Sequence, residues 1–191
     1  MRIAKKLLSV FLAMLMAFGT FAALLFTVSA ETTTTVPSDS DINVQSDTTL
    51  TGTASNTRVT VTADCTIVLD GLTLTNTSNN GKCGIDVQSG TVNLIIKGSN
   101  KITAGGQNGY ACPIGVRENA TLIISGYNDT NDGNILTVTG TTNGKAAIGG
   151  SWDQWTCGDI VINSGTIRAT GGGYGASVIG KGGNRDSTKT C

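Results

Sequence analysis

The stretch that decides the fold runs from Gly158 to Gly173 and reads "GDIVINSGTIRATGGG". It contains two short runs in which apolar and polar residues alternate, separated by one glycine and followed by three more. Alternation with a period of two is typical of β-strands with one buried face, and glycine is typical of sharp turns. A glycine-rich loop that binds phosphate would instead need a strand before it and a helix after it. We therefore interpret the stretch as two strands and a corner of a repeating structure.

Each repeat contains three short runs in a fixed order: an alternating run closed by glycine, a second strand-like run, and a short apolar–glycine piece. The closing glycines of the first run are Gly71, Gly98, Gly126 and Gly165. The third run carries one isoleucine per repeat, at Ile85, Ile114, Ile148 and Ile179, with spacings of 29, 34 and 31 residues. This pattern predicts an all-β fold, a right-handed parallel β-helix (a solenoid) with three short strands per coil, in which the isoleucines stack on one line. A β-sandwich is the alternative, but it does not predict an ordered triplet of strands at one period.

The first thirty residues have the pattern of a secretory signal peptide. Basic residues precede a long apolar stretch, and residues 28–30, "VSA", match the small-residue pattern at a cleavage site. A retained membrane anchor is the alternative for the same apolar stretch. Residues 31–41, "ETTTTVPSDSD", have little to bury and are predicted to form a flexible linker before a β-helix domain at residues 42–191. The repeat pattern predicts another strand after Cys191, so we expect a solenoid that is truncated at its C-terminal end. Either the longer protein continues the solenoid, or copies associate end to end through the open sheet edge.

The composition of residues 31–191 excludes several classes of function. These residues include ten basic and thirteen acidic side chains, a net charge of −3, and no histidine. Binding of nucleic acid needs clustered lysine and arginine, so no nucleic-acid partner is expected. The absence of histidine removes Ser-His and Cys-His nucleophile pairs and the common zinc sites. We expect a secreted, extracellular protein on a bacterial cell surface, with no membrane insertion after the signal peptide is removed.

The cysteines follow the same repeat. Cys83 and Cys112 each lie two residues before a marker isoleucine, whereas Cys157 and Cys191 each follow a polar corner. We assign Cys65, which precedes a strand-like run, to the column of Cys157. Neighbouring members of a column would have Cα atoms about 5 Å apart, which is within the range of disulfides. Disulfides Cys83–Cys112 and Cys157–Cys191 are therefore possible in an exported protein, and stacked free thiols are the alternative.

The aromatic residues that follow the signal peptide all fall outside the strand-like runs: Tyr110, Tyr127, Trp152, Trp155 and Tyr174. Because large aromatic side chains usually help to fill interiors, their position at corners predicts a platform for sugars. Ring faces would stack on the C–H surfaces of pyranose rings, and polar neighbours would bind the hydroxyl groups. The polar neighbours predicted here are Asn128, Asp129, Asp153 and Gln154. The alternative is that the loops fold back and shelter the rings against the coil.

Catalysis has weaker support in the sequence. Carbohydrate-cleaving β-helices need paired carboxylates, or calcium with a basic residue. The carboxylates in or beside strands are Asp70, Asp86 and Asp159, and the candidate bases Arg58, Arg117, Arg168 and Arg185 have no acidic cluster attached. We therefore expect no enzyme, no metal site and no cofactor. The loop "NDTNDGN" at residues 128–134 has oxygen ligands typical of calcium loops, but it lacks the EF-hand spacing, so a polar turn is predicted.

Two segments carry a resemblance to known families. Residues 157–183, "CGDIVINSGTIRATGGGYGASVIGKGG", resemble the repeats of secreted, repetitive surface proteins of Gram-positive bacteria, whose pattern is an "IGGG" corner followed by "GxIxIxGGxIxATGG". Residues 65–105, with "CTIVLDGLTLTN" at 65–76 and "GIDVQSGTVNLIIKGSNKITAG" at 84–105, are similar to bacterial carbohydrate-binding-domain-containing proteins related to the pectate-lyase-like superfamily.

These resemblances imply a parallel β-helix with a polysaccharide or cell-surface glycan as partner. The expected function is an extracellular, non-catalytic carbohydrate-binding or adhesion module that recognises glycans through loop aromatics. One alternative is a structural surface stalk or adhesin repeat without its own ligand. The second alternative is an enzyme similar to a polysaccharide lyase or glycoside hydrolase.

Overall fold

The chain folds as an all-β protein built from parallel sheets. The structure is a computed structural model, which describes residues 32–77, 82–106, 111–141, 144–150, 156–171 and 176–183. These residues belong to one of the two compact units of the chain, Glu31–Cys191. None of the described residues forms a helix that is long and apolar enough to span a membrane.

The described residues contain fifteen strands, most of them short. In chain order they are β1 (Thr32–Thr35), β2 (Ile42–Val44), β3 (Thr48–Ser55), β4 (Val59–Val61), β5 (Cys65–Asn76), β6 (Ile85–Val87), β7 (Gly90–Lys97), β8 (Ser99–Ala104), β9 (Ile114–Val116), β10 (Ala120–Gly126), β11 (Ile135–Gly140), β12 (Ile148–Gly149), β13 (Asp159–Ile162), β14 (Thr166–Thr170) and β15 (Ile179–Gly180). A short turn, Tyr127–Asp129, follows β10, and Asn128 and Asp129 in it have the positive φ of the left-handed region. β-Branched residues dominate the strands and glycines stand between them, as the alternating pattern requires.

The strands form two parallel sheets. The six-stranded sheet has the order β15-β12-β9-β6-β4-β2, and the nine-stranded sheet contains the path β13-β10-β7-β5-β8-β11-β14 with β3 and β1 attached to β5. Strand β5 bends at Gly71, which has a φ of 67°. Its first half, Cys65–Asp70, pairs with β7, and its second half, Thr73–Asn76, pairs with β8. The nine-stranded sheet therefore divides into two branches at this bend.

The marker isoleucines lie on one line, as the sequence predicted. Ile85 is in register with Ile114, Ile114 with Ile148, and Ile148 with Ile179. The line continues upstream through Val59. The first three isoleucines are fully buried. Because parallel strands pair about 4.8 Å apart, each of these side chains contacts its counterparts directly, and the line forms one wall of the core.

Buried asparagines hold the backbone at the corners between strands. The Nδ2 of Asn76 donates to the Thr57 carbonyl at 2.5 Å and to the Cys83 carbonyl at 2.8 Å, and its Oδ1 accepts from the Thr57 N–H at 3.0 Å. The Oδ1 of Asn100 accepts from the Leu72 N–H at 2.8 Å. These bonds satisfy backbone groups that the corners remove from the sheet ladders.

The segment predicted as a flexible linker is ordered at its start. Residues Thr32–Thr35 form β1, which pairs in parallel with Thr48–Thr51 of β3, and Val36 is 2% exposed. For residues 32–36 the linker prediction is therefore wrong. The sequence argument counted apolar residues, but threonine favours strands, and backbone hydrogen bonds along an existing sheet edge can order such a segment without a large apolar face.

Candidate functional site

A shallow groove of about 350 Å³ lies on the outer surface of the nine-stranded sheet. Its lining residues are Thr33, Thr49, Thr51, Val68, Asp70, Lys97 and Tyr127. These side chains come from β1, β3, β5, β7 and the turn after β10. Period-two alternation explains their direction, because their neighbours Leu50, Leu69 and Ile96 are fully buried.

A row of register partners forms the floor of this groove. Thr51 is in register with Asp70, and Asp70 is in register with Lys97. On the next strand Gly126 is in register with Ile96, so Tyr127 continues the row beside Lys97. One aromatic ring, one ammonium group, one carboxylate and a hydroxyl group are thus placed side by side along the sheet.

Lys97 contacts both of its neighbours in the row, Asp70 and Tyr127. Its Nζ lies 2.9 Å from Oδ2 of Asp70 and 5.5 Å from the centroid of the Tyr127 ring. The second distance is that of a cation–π contact. Tyr127 is 44% exposed, so its ring remains accessible to a ligand. The charges of Lys97 and Asp70 balance, and the groove has no net charge.

The turn that presents Tyr127 is held by hydrogen bonds. The Tyr127 carbonyl accepts from the Asn134 Nδ2 at 3.1 Å and from the Thr130 Oγ1 at 3.1 Å. The Gly126 N–H donates to the Ser164 Oγ at 3.0 Å, and a Cβ at Gly126 would fall on the Thr130 carbonyl oxygen. Asn134 is buried. The ring is therefore carried by a turn that packing and hydrogen bonds fix in place.

The structure brings only part of the predicted sugar platform into view. Tyr127 lines the groove, and Asn128 and Asp129 are exposed in the same turn but do not line it. Both have positive φ, 56° and 53°. The other predicted contacts lie outside the described residues: Tyr110, Trp152, Asp153, Gln154, Trp155 and Tyr174.

The residues that the sequence predicted for the site do not include the two charged residues of the groove. Asp70 and Lys97 each directly precede a closing glycine, Gly71 and Gly98. Their equal position in two consecutive repeats was the signal that could have paired them. The threonines of the groove cannot be recognised in this way, because threonine is common at outward-facing strand positions throughout the sequence.

Two of the arginines considered as bases, Arg117 and Arg58, each form an ion pair with a carboxylate. Nη2 of Arg117 lies 2.9 Å from Oδ2 of Asp86, and its Nε donates to Oδ1 at 3.2 Å. The side chain of Asp86 is 1% exposed and also accepts from the Gln88 Nε2 at 2.8 Å. Hydrogen bonding to Asp86 raises the pKa of Arg117 above its ordinary value. Arg58 has an Asp41 partner at 3.4 Å.

Asp70, Asp86 and Asp159 lie on three different strands, β5, β6 and β13. Asp70 lies on the nine-stranded sheet and Asp86 on the six-stranded sheet. Asp159 is exposed on β13, the outermost strand of one branch. Within the described part of the chain, no three His, Cys, Asp or Glu side chains are arranged to hold a metal ion.

The loop considered for calcium uses its oxygens for hydrogen bonds to the backbone. Oδ1 of Asn131 accepts from the Gly165 N–H at 2.7 Å, and Oδ1 of Asn134 accepts from the Gly98 N–H at 3.3 Å. These bonds connect the loop to the strands before and after it in the stack. The arrangement agrees with the predicted polar turn.

The four cysteines that the structure describes are all buried. Sγ of Cys83 lies 4.0 Å from Sγ of Cys112, and both are free thiols in this structure. Cys65 is in register with Val92 and not with Cys157, so its assignment to that column was wrong. Register is set by the whole strand, which the position of one cysteine before it did not show. Cys191 lies outside the described residues.

Comparisons with known proteins add no assignment: no family model matches the chain, and no curated protein or solved structure matches it significantly.

Proposed function

We propose that the chain is a right-handed parallel β-helix with three strands per coil. Strands recur in one order, β7-β8-β9, β10-β11-β12 and β13-β14-β15, and each member pairs in parallel with the same member of the next triplet. Parallel crossover connections are right-handed in nearly all proteins, which gives the handedness. An experimental structure in which these triplets fold into separate sheets of one sandwich would exclude the β-helix.

On this scaffold we propose an extracellular, non-catalytic module that binds a polysaccharide or a cell-surface glycan. The observation that carries the proposal is the groove in which the Tyr127 ring stands beside the Lys97–Asp70 pair on the outer face of the sheet. An aromatic face provides an apolar surface for the C–H groups of a pyranose ring. Asp70 can accept hydrogen bonds from sugar hydroxyls, Lys97 can donate them, and threonine hydroxyls can do both.

The shape of the groove favours a polymer over a small compact ligand. It is shallow, and its residues follow a row that runs across successive strands, so an extended chain could lie along it. Binding sites for small molecules are usually deeper and mostly apolar. The proposed export to a bacterial cell surface agrees with such a ligand, and it rests on the signal-peptide pattern and the resemblance to secreted surface repeats.

The test is binding of the purified protein to an array of plant, fungal and bacterial cell-wall polysaccharides, followed by calorimetric titration of the best binder. Tyr127→Ala is expected to weaken binding about tenfold or more, which corresponds to roughly 1.4 kcal/mol. Tyr127→Phe keeps the ring face and is expected to bind within about threefold of the wild type. Lys101→Ala, at an exposed position on β8 in the other branch of the sheet, is the control and should bind like the wild type.

The other functions predict different results in the same experiment. A stalk without a ligand would bind no polysaccharide above background. A lyase or hydrolase would release new sugar ends from pectin-like polymers, which a reducing-end assay detects. If binding is present but only Trp152→Ala with Trp155→Ala abolishes it, the platform lies at those tryptophans and not at the groove.

Association of copies end to end is a separate part of the proposal. Apolar side chains are exposed on β13, on β15 and just before β15: Val161, Ile162, Val178 and Ile179. An uncovered parallel strand with apolar side chains favours pairing with another strand, here that of a second copy. Sedimentation velocity over a range of concentrations should show dimers that Ile162→Asp reduces. A monomer at all concentrations would exclude this part alone.

A further inference from the structure

Cys83 and Cys112 occupy equivalent places on successive strands of the stack. Each lies two residues before the isoleucine that starts β6 or β9, and Ile85 and Ile114 are in register. The Pro113 carbonyl accepts hydrogen bonds from the N–H groups of Gly84 and Ile85, both at 3.0 Å. The backbone that follows each cysteine is thereby held at the spacing of a parallel ladder.

The two sulfurs need only a small movement to bond. Their separation is 4.0 Å, against about 2.05 Å in a disulfide. The ladder spacing of about 4.8 Å lies inside the range of Cα separations that disulfides accept. Rotation of the two side chains can therefore close the bond without a shift of the strands.

The same two thiols are sealed from solvent in the folded protein. Cys83 is 3% exposed and Cys112 is 0% exposed. The pKa of Cys112 lies well above the ordinary value of a thiol. The larger cause is the hydrogen bond between Cys112 and Cys83, and the second cause is burial. Thiolate is the species that attacks a disulfide, so exchange with an external oxidant is slow once the strands have closed over the pair.

We propose that Cys83 and Cys112 form a structural disulfide that is made while the strands assemble, before the pair is buried. The oxidant is a small-molecule or protein disulfide of the oxidising exterior. The thiolate of one cysteine attacks that disulfide and releases one thiol, and the thiolate of the second cysteine then attacks the mixed disulfide and releases the other. Two protein thiols are oxidised to one bond, and one external disulfide is reduced to two thiols. The inference does not depend on the glycan-binding proposal.

The sequence offers a direct readout of this bond. Trypsin cleavage after lysine and arginine places every cysteine of residues 31–191 on a different peptide, with Cys83 in 83–97 and Cys112 in 102–117. The purified protein is reduced and denatured, then refolded with a mixture of reduced and oxidised glutathione. Non-reducing mass spectrometry is expected to find peptides 83–97 and 102–117 linked. Free thiols at both positions, or linkage of either cysteine to another one, would overturn the proposal.

A second arm tests the order of events. Protein refolded in reduced glutathione alone is exposed to oxidised glutathione under native conditions, where linkage should be roughly 100-fold slower than during refolding. Equal rates would show that the pair is open to oxidants in the folded state and would overturn the order of events. The linked protein should have a Tm higher by about 10 °C than the reduced one. Cys65→Ala with Cys157→Ala should keep both the linked peptides and the Tm difference, whereas Cys83→Ala with Cys112→Ala should lose both.

Discussion

The buried carboxylate of Asp86 depends on a partner that is itself only half covered. Its side chain is 1% exposed, whereas that of Arg117 is 41% exposed. Without Arg117, this carboxylate keeps the hydrogen bond from the Gln88 Nε2 but loses its only described countercharge in a buried place. Arg117→Ala is therefore expected to lower the free energy of unfolding by about 3 kcal/mol, measured by urea denaturation at pH 7.

The matched control is the ion pair between Lys97 and Asp70, whose side chains are 46% and 41% exposed. Exposed ion pairs contribute little, so Lys97→Ala should cost less than about 1 kcal/mol. Equal losses in the two variants would show that water or the Gln88 hydrogen bond compensates Asp86 for the loss of Arg117.

Asp41 gives the molecule a defined response to acid. Its carboxylate lies 2.8 Å from Nζ of Lys82 and accepts from the Arg58 N–H at 3.0 Å. Burial alone would raise the pKa of Asp41, but these partners outweigh it and bring the pKa below its ordinary value of 3.8. A carboxyl group with a lowered pKa stabilises the folded state above the unfolded-state pKa, and this stabilisation is lost as the pH falls through the folded-state pKa.

The difference in unfolding free energy between the wild type and Asp41→Ala should therefore be constant from about pH 5 to 7 and shrink as the pH falls below about 4. Its size at neutral pH is expected to be less than about 1 kcal/mol because the side chain is partly exposed. Urea denaturation at a series of pH values measures it. A difference that grows in acid would contradict the assignment of a lowered pKa.

The sequence predicts residues whose position recurs in every repeat, but not contacts that depend on strand register. The isoleucine line could be predicted because inward residues recur at fixed positions within each repeat. The Asp86–Arg117 pair could not, since its members come from different parts of their repeats and meet only when strand register and corner length are known. Tyr127, which the sequence assigned to the platform, is exposed. Lys97 and Asp70, which the register places beside it, were not part of that prediction.

At the scale of single strands, β12 shows where backbone conformation limits the sequence. Gly149 has a φ of 128°, and a Cβ at this position would fall on the Gly180 carbonyl oxygen of the paired strand β15. Gly149→Ala combines backbone strain with a collision against a backbone atom that cannot move freely. The variant should lose about 2 kcal/mol or more of unfolding free energy in urea, with faster amide exchange in β12 and β15.

Gly98 is the control that distinguishes the cost of a positive φ from the cost of a steric clash. Its φ of 67° lies in the left-handed region, but no atom lies within 4 Å of where a Cβ would be. Asparagine tolerates this conformation better than most residues, so Gly98→Asn should cost less than about 1 kcal/mol. A larger loss at Gly98 than at Gly149 would show that corner conformation, and not the close approach of β12 and β15, dominates.

Strand register is also where the repeat pattern stopped being a reliable guide. The closing glycines Gly71 and Gly98 occupy equivalent positions, because Asp70 is in register with Lys97. Gly126 does not follow them, since it is in register with Ile96, two residues earlier than the motif implies. A shift of two residues preserves which side chains face inward, so the hydrophobic pattern cannot detect it. That shift is what places Tyr127 in the groove.

For the whole molecule, stacking implies that stability depends on how many neighbours a strand has. Ile67, Leu94, Ile124 and Ile162 form one line of register partners across β5, β7, β10 and β13. The first three are fully buried, whereas Ile162 is 45% exposed on the outermost of these strands. In a stacked fold each layer contacts only the adjacent layers, so a side chain between two layers loses contacts on both sides when it is truncated.

Truncation to alanine should therefore lower the free energy of unfolding by unequal amounts along this line. Leu94→Ala is expected to lower the free energy of unfolding by about 3 kcal/mol or more, because it leaves a cavity between two layers. Ile162→Ala should cost less than about 1 kcal/mol, since much of the side chain is already in water. Urea denaturation at low protein concentration measures both while it limits association between copies. Similar losses at the two positions would mean that β13 is covered in solution, which would favour a second copy on that face over a solvent-exposed end.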